Sequence, residues 1–564
     1  MSDDRLPVVL CWHMHQPYYQ DREGGYYQLP WTYLHAIKDY VDMAAIIEEV
    51  PDARAVVNFA PILLEQIDDY GQQIRGFLSE GTVIRDFMLA SLVSPVLPTE
   101  PERRATLMKA CLRANRKRLI ERFPSYQTLA NIADCIADHP QGLAYFDEQF
   151  LVDLLVWYHL AWLGETVRRD DPRVNTLVAK GHAYTQHDRR LLLEVIGELL
   201  AGVLPRYRRL AEAGRIELSV TPYAHPILPL LMDITSARDA MPDVTLPLIS
   251  EYPGGAERAR WHVEEGLRVF ESHFGFRPKG CWPAEGSVSA PALKLLGEAG
   301  FSWAATGGGV LHNSLRVSGL DGQQCIHHAY RVAGTGIECF FRDDGLSDLI
   351  GFTYADWHAD DAVNNLVHHI ENIGSACAGR PGRVVSIILD GENAWEYYPE
   401  NGYYFLTALY RRLASHPKIR LTTFSDFLAG QPAVVELPKL VAGSWVYGTF
   451  STWIGDPDKN HGWDLLGEAK RAFDEAVTSG SLTGERLARA ERQLAICEGS
   501  DWFWWFGDYN PSESVRDFER LYRMHLADLY RLLGRESPDS LTRPISVGGG
   551  RPQMGGVMRR GQES

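Results

Sequence analysis

Two carboxylates that lie far apart in the chain each follow a short apolar run, and each has a tryptophan nearby. Glu285 follows Trp282 and Pro283, and Asp390 follows the apolar run 386–389, with Trp395 five residues later. A glutamate and an aspartate on opposite sides of a sugar–sugar bond are the minimum equipment for cleaving it. These two residues are therefore the first candidates for catalytic groups.

The surroundings of the two carboxylates favour different roles. Pro283 stiffens the chain before Glu285, which suits a fixed nucleophile. Asp390 ends an apolar strand, and a buried carboxyl group keeps its proton to higher pH, as a general acid must. Glu392 would raise the pKa of Asp390 further by like-charge repulsion. The structural alternative is a solvated acidic loop after the strand.

Histidines follow two other strand-like runs. Residues 13–17 (HMHQP) come directly after the run 8–12, and alternate residues of an extended segment face one way, so His13 and His15 can reach one ligand. Glu217 interrupts the apolar run 216–220, where a buried charge needs a partner or a task. His225 lies on the loop beyond that run. The alternative is a structural ion pair with ordinary loop histidines.

The same residues admit a metal site. Two histidines one residue apart, together with Asp390, would suit a divalent ion in a metal-dependent hydrolase such as a polysaccharide deacetylase. The interpretation with two catalytic carboxylates predicts, in contrast, that the protein requires no metal or other cofactor.

Supporting residues would hold the sugar. The chain has 15 tryptophans and 25 tyrosines, and sugar rings pack their C–H faces on aromatic planes. Asp343 follows the run 338–341 and would bond a sugar hydroxyl or pair with Arg342. The run 502–506 (WFWWF) would line a groove or pack helices on the barrel. The candidate substrate-binding residues are His13, His15, Gln16, Glu217, His225, Trp282, Asp343, Glu392, Trp395, Trp445, Trp453 and Asp456.

The elements that must position these groups alternate along the chain. Apolar, β-rich runs are separated by amphipathic helical patterns, which is typical of a parallel sheet covered on both faces and, with seven or eight units, of a barrel. The predicted strands are 8–12, 53–59, 216–220, 280–282, 302–305, 338–341, 384–389 and 419–423. Long helical inserts are predicted at 100–122 and 145–168.

Three regions are predicted from this pattern. Residues 1–430 form an α/β barrel domain with helical inserts. Residues 431–540 begin with a linker and form a helical domain with helices at 464–477, 484–497 and 514–533. Residues 541–564 have little apolar content and are predicted to be a flexible tail.

The net charge and the distribution of cysteines limit the classes of binding partner and the cellular location that we expect. The chain has 56 basic and 73 acidic residues, a net charge of −17, which disfavours nucleic acid and anionic membranes. The eight cysteines are scattered without a CxxC pair, and the chain starts without a signal-peptide layout, so we expect free thiols and a cytoplasmic protein. No apolar run reaches the length of a membrane span. The sequence does not indicate an oligomeric state.

Five of these segments, in order, resemble the motifs of glycoside hydrolase family 57. The segments are 13–17, the strand holding Glu217, 281–285 (CWPAE), 389–395 (LDGENAW) and 443–456. The resemblance implies a (β/α)7 barrel, an incomplete TIM-like barrel, followed by helices. It also implies that Glu285 is the nucleophile and Asp390 the acid/base of a retaining enzyme. The runs 390–399 and 500–507 look most like the α-amylase and amylopullulanase branch.

The resulting prediction is a retaining enzyme that cleaves α-1,4 and possibly α-1,6 bonds of an α-glucan. A 4-α-glucanotransferase or branching enzyme would use the same site. The alternatives of another class are the metal-dependent deacetylase and a non-catalytic glucan-binding protein.

Overall fold

The computed structural model describes residues 4–21, 23–322 and 324–562. Its centre is one sheet whose strands are almost entirely buried, as expected for parallel strands covered on both faces. The strands are β1 (Leu6–Met14), β2 (Ala55–Phe59), β3 (Ile216–Val220), β4 (Gly280–Cys281), β5 (Trp303–Thr306), β6 (Tyr330–Val332), β7 (Glu338–Phe341), β8 (Val385–Asp390), β9 (Ile419–Leu421) and β10 (Val435–Leu437).

The strand order confirms the predicted incomplete barrel. The order is β10-β6-β7-β5-β4-β3-β2-β1-β8, β9 pairs with the start of β1, and only the β6–β7 pair is antiparallel. Seven parallel strands, β1 to β5 with β7 and β8, therefore curl around one axis. At the seam, Asp343 N–H donates to Ser386 O, and Arg342 Nε donates to Ile388 O, both at 2.8 Å.

Helices surround this sheet. Those of the first half, which include the predicted inserts, are α1 (Trp31–His35), α2 (Val41–Glu49), α3 (Pro61–Glu80), α4 (Phe87–Val93), α5 (Pro101–Ala110), α6 (Pro124–Ile136), α7 (Glu148–Trp162), α8 (Glu165–Asp170), α9 (Pro172–Lys180), α10 (Gln186–Glu212), α11 (Leu228–Met232) and α12 (Gly255–Phe274). Those of the second half of the barrel are α13 (Ala290–Glu298), α14 (Gly308–Val317), α15 (Asp344–Asp348), α16 (Ala359–Ala376), α17 (Tyr403–Ala414) and α18 (Phe424–Ala429).

The predicted helix over 145–168 is two helices. The chain breaks between α7 and α8 at Gly164, where a Cβ atom would lie 2.6 Å from Asp42 Oδ1. Asp42 instead accepts the N–H groups of Glu165 and Thr166 at the start of α8. Acidic side chains stabilise a helix N-terminus, so this carboxylate fixes the break.

The C-terminal region is helical, but it starts later than predicted. Its helices are α19 (Pro457–Thr478), α20 (Gly484–Cys497), α21 (Asp501–Trp505) and α22 (Ser512–Leu533). Strand β10 lies inside the predicted linker and pairs with β6, so the sheet extends beyond the predicted limit at residue 430. Among the described residues, no helix combines the length and apolar character needed to cross a membrane.

The last segment corrects the prediction of a flexible tail. Residues 541–562 lie against the rest of the chain, where the backbone of Gly561 bonds Tyr447 and Asp348. Arg559 stacks on Trp504 with its guanidinium carbon 4.6 Å from the ring centre. The prediction rested on apolar content, whereas these contacts use backbone groups and one cation. Residues 563–564, and residues 1–3 at the start, lie outside the described residues.

Candidate active site

Both candidate carboxylates line one cleft at the carboxyl ends of the strands. Glu285 follows β4 and Asp390 is the last residue of β8, and the cleft between them has a volume of about 200 Å³. The carboxyl ends of barrel strands are where barrel enzymes build their sites. The predicted site residues that line this cleft are His13, His15, Gln16, His225, Glu285, Asp390, Glu392 and Trp445.

The backbone holds Glu285 in an unusual conformation. Its φ is +57°, in the left-handed region that costs a non-glycine residue about 1–3 kcal/mol and recurs at functional sites. His225, which also lines the cleft, has φ +60°. Trp445 closes around Glu285, because its Nε1 donates to Oε2 at 3.0 Å and its backbone N–H donates to the Glu285 carbonyl at 3.1 Å. The strain thus serves to aim one carboxylate into the cleft.

The two carboxyl groups hold a proton between them near neutral pH. Burial, with the nearby charge of Asp390, raises the pKa of Glu285 to about 8, although the Trp445 hydrogen bond opposes this. Burial raises the pKa of Asp390 to about 6, against the hydrogen bond that Asn393 Nδ2 donates to its Oδ2 at 2.9 Å. Interacting groups of this kind titrate as a pair. In the free cleft the shared proton therefore resides mostly on Glu285.

Glu392 is a third buried carboxyl group in the cleft. Its Oε1 accepts from Gln16 Nε2 at 3.1 Å and from the backbone N–H of His15 at 3.3 Å. Burial first, and then the charges of Asp390 and Asp39, raise the pKa of Glu392 well above its usual range. Burial therefore favours the protonated form of Glu392, which is a hydrogen-bond donor as well as an acceptor.

Three histidines form a stack beside Glu285. The ring centres of His15 and His225 are 3.7 Å apart, and those of His13 and His225 are 5.1 Å apart. Burial and the neighbouring imidazoles lower the pKa of His13 to about 3 and the pKa of His225 well below its usual range. These two rings are therefore neutral, which makes each of them both a donor and an acceptor.

Asn58 fixes the direction of the hydrogen bonds through the neutral rings. Its Nδ2 donates to Ser219, so its Oδ1 accepts from His13 Nδ1 at 2.7 Å. His13 Nε2 must then accept from His225 Nε2, 3.0 Å away, and His225 Nδ1 accepts from Ser500 Oγ at 2.8 Å. This chain of bonds sets the tautomer of both histidines.

The helical region supplies the other wall of the cleft. Asp501, the first residue of α21, bonds His15 Nε2 at 2.7 Å, and Ser500 Oγ lies 3.5 Å from Glu285 Oε1. Glu498, just before them, forms a buried ion pair with Arg258 at 2.8 Å and bonds His262 Nε2 at 2.8 Å. Burial alone would raise the pKa of Glu498, but Arg258 and His262 lower it to about 2. This network anchors the segment that carries Ser500 and Asp501 to α12.

Aromatic residues and the last segment complete the cleft. Trp504 and Trp505 of α21 line it together with Val557, and Met558 and Arg559 line the small cavity on the far side of Asp390. Arg342 lies in the same cavity, with its guanidinium carbon 5.5 Å from the centre of the Trp445 ring. Both indoles are less than a tenth exposed, so only a small apolar surface of α21 meets the cleft.

Two predicted polar residues do not reach the cleft. Glu217 is the second residue of β3, at the opposite end of the strand, where it accepts from Trp303 Nε1 at 2.8 Å and from the backbone N–H of Ser425 at 3.0 Å. Asp343 bonds His327 Nε2 at 2.9 Å and caps α15. Both carboxylates have structural partners, but not the expected ones: Glu217 has hydrogen bonds instead of an ion pair, and Arg342 pairs with Asp344 and Asp348 instead of Asp343.

Four more predicted residues lie behind the cleft or away from it. Trp282 is fully buried and packs edge-on against Trp445. Trp395 is buried against Trp12, and its Nε1 donates to Gly391 O. Trp453 is buried below Trp504, and Asp456 caps α19. These side chains support the cleft without lining it.

Sequence reasoning missed Asn58, Ser500 and Asp501. Asn58 has a signal, because it is a lone polar side chain in the apolar strand β2. Ser500 and Asp501 have none, since a serine and an aspartate before a helix are ordinary capping residues.

A metal would find a different set of ligands from the predicted one. Donor atoms of His15, His225 and Asp501 lie within 4.8 Å of one another, and His13 is not in this group. Both nitrogens of His13 are used by Asn58 and His225, and those of His225 by His13 and Ser500. Asp390 does not belong to this group. Two imidazoles and a carboxylate are ligands that divalent ions accept.

Comparisons with known proteins agree on one family. The model of glycosyl hydrolase family 57 matches residues 9–438. A family 57 branching enzyme from Thermococcus kodakaraensis superimposes with a TM-score of 0.56 at 15% identity, over 93% of this chain and 90% of that one. The α-amylase AmyC from Thermotoga maritima gives 0.54 at 14%, over 95% and 96%. A 4-α-glucanotransferase from Thermococcus litoralis gives 0.51 at 15%, over 94% and 60%. At these identities the structural likeness establishes the fold alone.

Proposed function

This chain belongs to glycosyl hydrolase family 57, and on that basis we propose that it cleaves α-glucosidic bonds of glucans by a two-step retaining mechanism, as an α-amylase or amylopullulanase. The observation that carries the proposal is the shared cleft of Glu285 and Asp390, in which Trp445 and a strained backbone fix Glu285.

The proposed chemistry uses each carboxyl group twice. Glu285 attacks the anomeric carbon while Asp390 gives its proton to the departing glycosidic oxygen, which leaves a covalent glycosyl-enzyme. Asp390 then takes a proton from water, the water oxygen bonds to the anomeric carbon, and the bond to Glu285 breaks. Retention requires the two carboxyl groups to be about 5–5.5 Å apart, against about 6.5–9.5 Å for inversion.

The productive protonation state is the less populated one in the free cleft. The mechanism needs the proton on Asp390 and a negative charge on Glu285, whereas the higher pKa belongs to Glu285. The reaction proceeds from this minor form: the Glu285 carboxylate stabilises the positive charge that develops at the anomeric carbon while the proton passes from Asp390 to the glycosidic oxygen.

Hydrogen-bonding groups that are fixed in direction suit an uncharged substrate. His13 and His225 use their ring nitrogens within the protein, whereas His15 Nδ1 and Glu392 Oε2 are buried without a partner and remain for sugar hydroxyls. Fixed hydrogen-bonding groups orient a sugar ring for attack. Trp504 and Trp505 line the cleft, and the small exposed part of each indole would contact a neighbouring glucose unit.

A transferase or branching enzyme is the second candidate function. The same covalent intermediate yields a new glucan bond when a sugar hydroxyl replaces water as acceptor. The observation that favours it is Val557 of the last segment, which lines the cleft beside Trp504 and Trp505 of α21 and would limit access of water there.

The test is product analysis with amylose, pullulan and maltotriose, supported by two variants. Glu285→Gln and Asp390→Asn should each lower turnover at least about 1,000-fold with an unchanged melting temperature. Glu298→Gln is the control, because this exposed glutamate pairs with Arg260 on the surface. Short fragments with the α-anomeric configuration support hydrolysis. Longer oligomers or new branch points favour the transferase, and full activity in either cleft variant contradicts the assignment of both roles.

A further inference from the structure

Two thiols and an imidazole meet at a second place in the fold, outside the cleft. Cys325 and His327 lie in the loop before β6, and Cys377 directly follows α16. The two sulfurs and a ring nitrogen of His327 lie within 4.8 Å of one another, and Cys377 Sγ is 4.0 Å from His327 Nδ1. Cysteines 52 positions apart in sequence are thus brought together with a histidine.

Asp343 orients the imidazole of this cluster. His327 Nε2 lies 2.9 Å from Asp343 Oδ2, and Asp343 is itself held by the Leu346 N–H that its Oδ1 accepts. Because the carboxylate accepts a hydrogen bond from Nε2–H, Nδ1 is the ring nitrogen left for a metal, and it faces the sulfur of Cys377. A carboxylate behind a histidine is the usual arrangement around a ligated metal.

The spacing fits a tetrahedral ion. Zinc bonds of about 2.3 Å to sulfur and about 2.0–2.1 Å to nitrogen place sulfur and nitrogen ligands about 3.6 Å apart and two sulfurs about 3.8 Å apart. The observed 4.0 Å between Cys377 Sγ and His327 Nδ1 is within about 0.5 Å of that requirement. Small side-chain rotations would close the shell.

We propose that Cys325, His327 and Cys377 bind one zinc ion, with water as the fourth ligand. Two thiolates neutralise the ion, and thiolate with imidazole is the donor set that zinc prefers among biological divalent ions. Arg380 Nη1 lies 3.6 Å from Cys325 Sγ, and a cation beside a thiol favours the thiolate that a metal requires.

The ion would have a structural role. It would tie the loop before β6 to the end of α16 and, through Asp343, to the seam between β7 and β8. Arg342, next to Asp343, lies beneath Trp445, so the bound ion would stiffen the floor of the cleft without contacting substrate.

The test is metal uptake by the full chain, purified without chelator and kept reduced. We expect elemental mass spectrometry to find about one zinc ion per chain. Exchange with Co²⁺ should give the near-ultraviolet charge-transfer band of a cobalt–thiolate bond. Cys377→Ser and His327→Gln should weaken Co²⁺ binding at least about 100-fold, and Asp343→Asn about 10–100-fold. Cys135→Ser is the matched control, because Cys135 is an exposed thiol outside the cluster.

Three results would overturn the proposal. One is the absence of stoichiometric uptake by the reduced chain. Another is Co²⁺ uptake that shows no thiolate band, persists in Cys377→Ser and is lost in His15→Gln, which would place the ion in the cleft. The third is a disulfide between Cys325 and Cys377 in the chain purified without reductant, with no metal bound after its reduction.

Discussion

Replacing Trp445 by phenylalanine removes the N–H that donates to Glu285 Oε2 at 3.0 Å and keeps an aromatic ring against Trp282. A hydrogen bond to a charged group is worth about 1.5–3 kcal/mol, and a pKa unit corresponds to about 1.4 kcal/mol. The pKa of Glu285, about 8 in the native cleft, should therefore rise by about 1–2 units.

The effect on rate follows from the order of the two pKa values. The pKa of Glu285, about 8, lies above that of Asp390, about 6, so only a minority of singly protonated molecules carries its proton on Asp390. Each further unit on Glu285 lowers that fraction tenfold. We expect kcat/KM at its optimum to fall about 10–100-fold in Trp445→Phe and the basic limb of its pH profile to move up by about 1–2 units.

The assay is kcat/KM for a soluble maltooligosaccharide between about pH 4 and 10, in wild type and variant. Trp282→Phe is the control, because the Nε1 of Trp282 is buried without a hydrogen-bond partner, and its removal should leave both limbs in place. A shift of the acidic limb with a fixed basic limb would refute the reasoning, since Glu285 would then be the group with the lower pKa. Unchanged limbs in both variants would show that the indole N–H does not act on Glu285.

Two further perturbations test the supports of the cleft. Glu498→Gln leaves Arg258 of α12 buried without its counter-charge and should lower the free energy of unfolding by about 3–5 kcal/mol at pH 7. Arg268→Gln, which removes a surface ion pair of α12, is the control and should lower it by less than about 1 kcal/mol. The pKa of Glu498 in the folded protein, about 2, is below its ordinary value of 4.5. Its contribution to the free energy of unfolding is therefore complete above pH 4.5 and is lost as the pH falls toward 2. The urea midpoints of wild type and Glu498→Gln should converge over that range, and a constant difference between them would contradict this assignment. Deletion of residues 547–564 uncovers Trp504, now 8% exposed, and should shift tryptophan emission to the red; an unchanged spectrum would mean that the segment does not cover the ring.

The fold and the placement of Glu285 and Asp390 in one cleft were predictable because each depends on local patterns. Apolar runs separated by amphipathic helices predicted a parallel barrel, and an acidic residue at the end of such a run predicted a side chain at the carboxyl edge. Glu285 and Asp390 meet both conditions. Glu217 does not meet the second condition, because it is the second residue of its strand and not the last. This position alone separates a structural carboxylate from one in the cleft.

The contribution of the helical region was not predictable from local patterns. Asp501 reaches His15 across 486 positions, and no periodicity in either segment indicates that contact. The last segment was misjudged for a related reason. Its low apolar content predicted disorder, but it is fixed by backbone hydrogen bonds and by Arg559 on Trp504, which composition does not reveal.

The dependence of the cleft on Ser500 and Asp501 has a consequence for biosynthesis. A ribosome that has delivered the first 430 residues has already exposed both carboxylates and the three stacked histidines, yet His15 lacks its acceptor and the Ser500 hydroxyl is missing beside Glu285. The nascent cleft should therefore stay incomplete until nearly the whole polypeptide has emerged and α21 has docked.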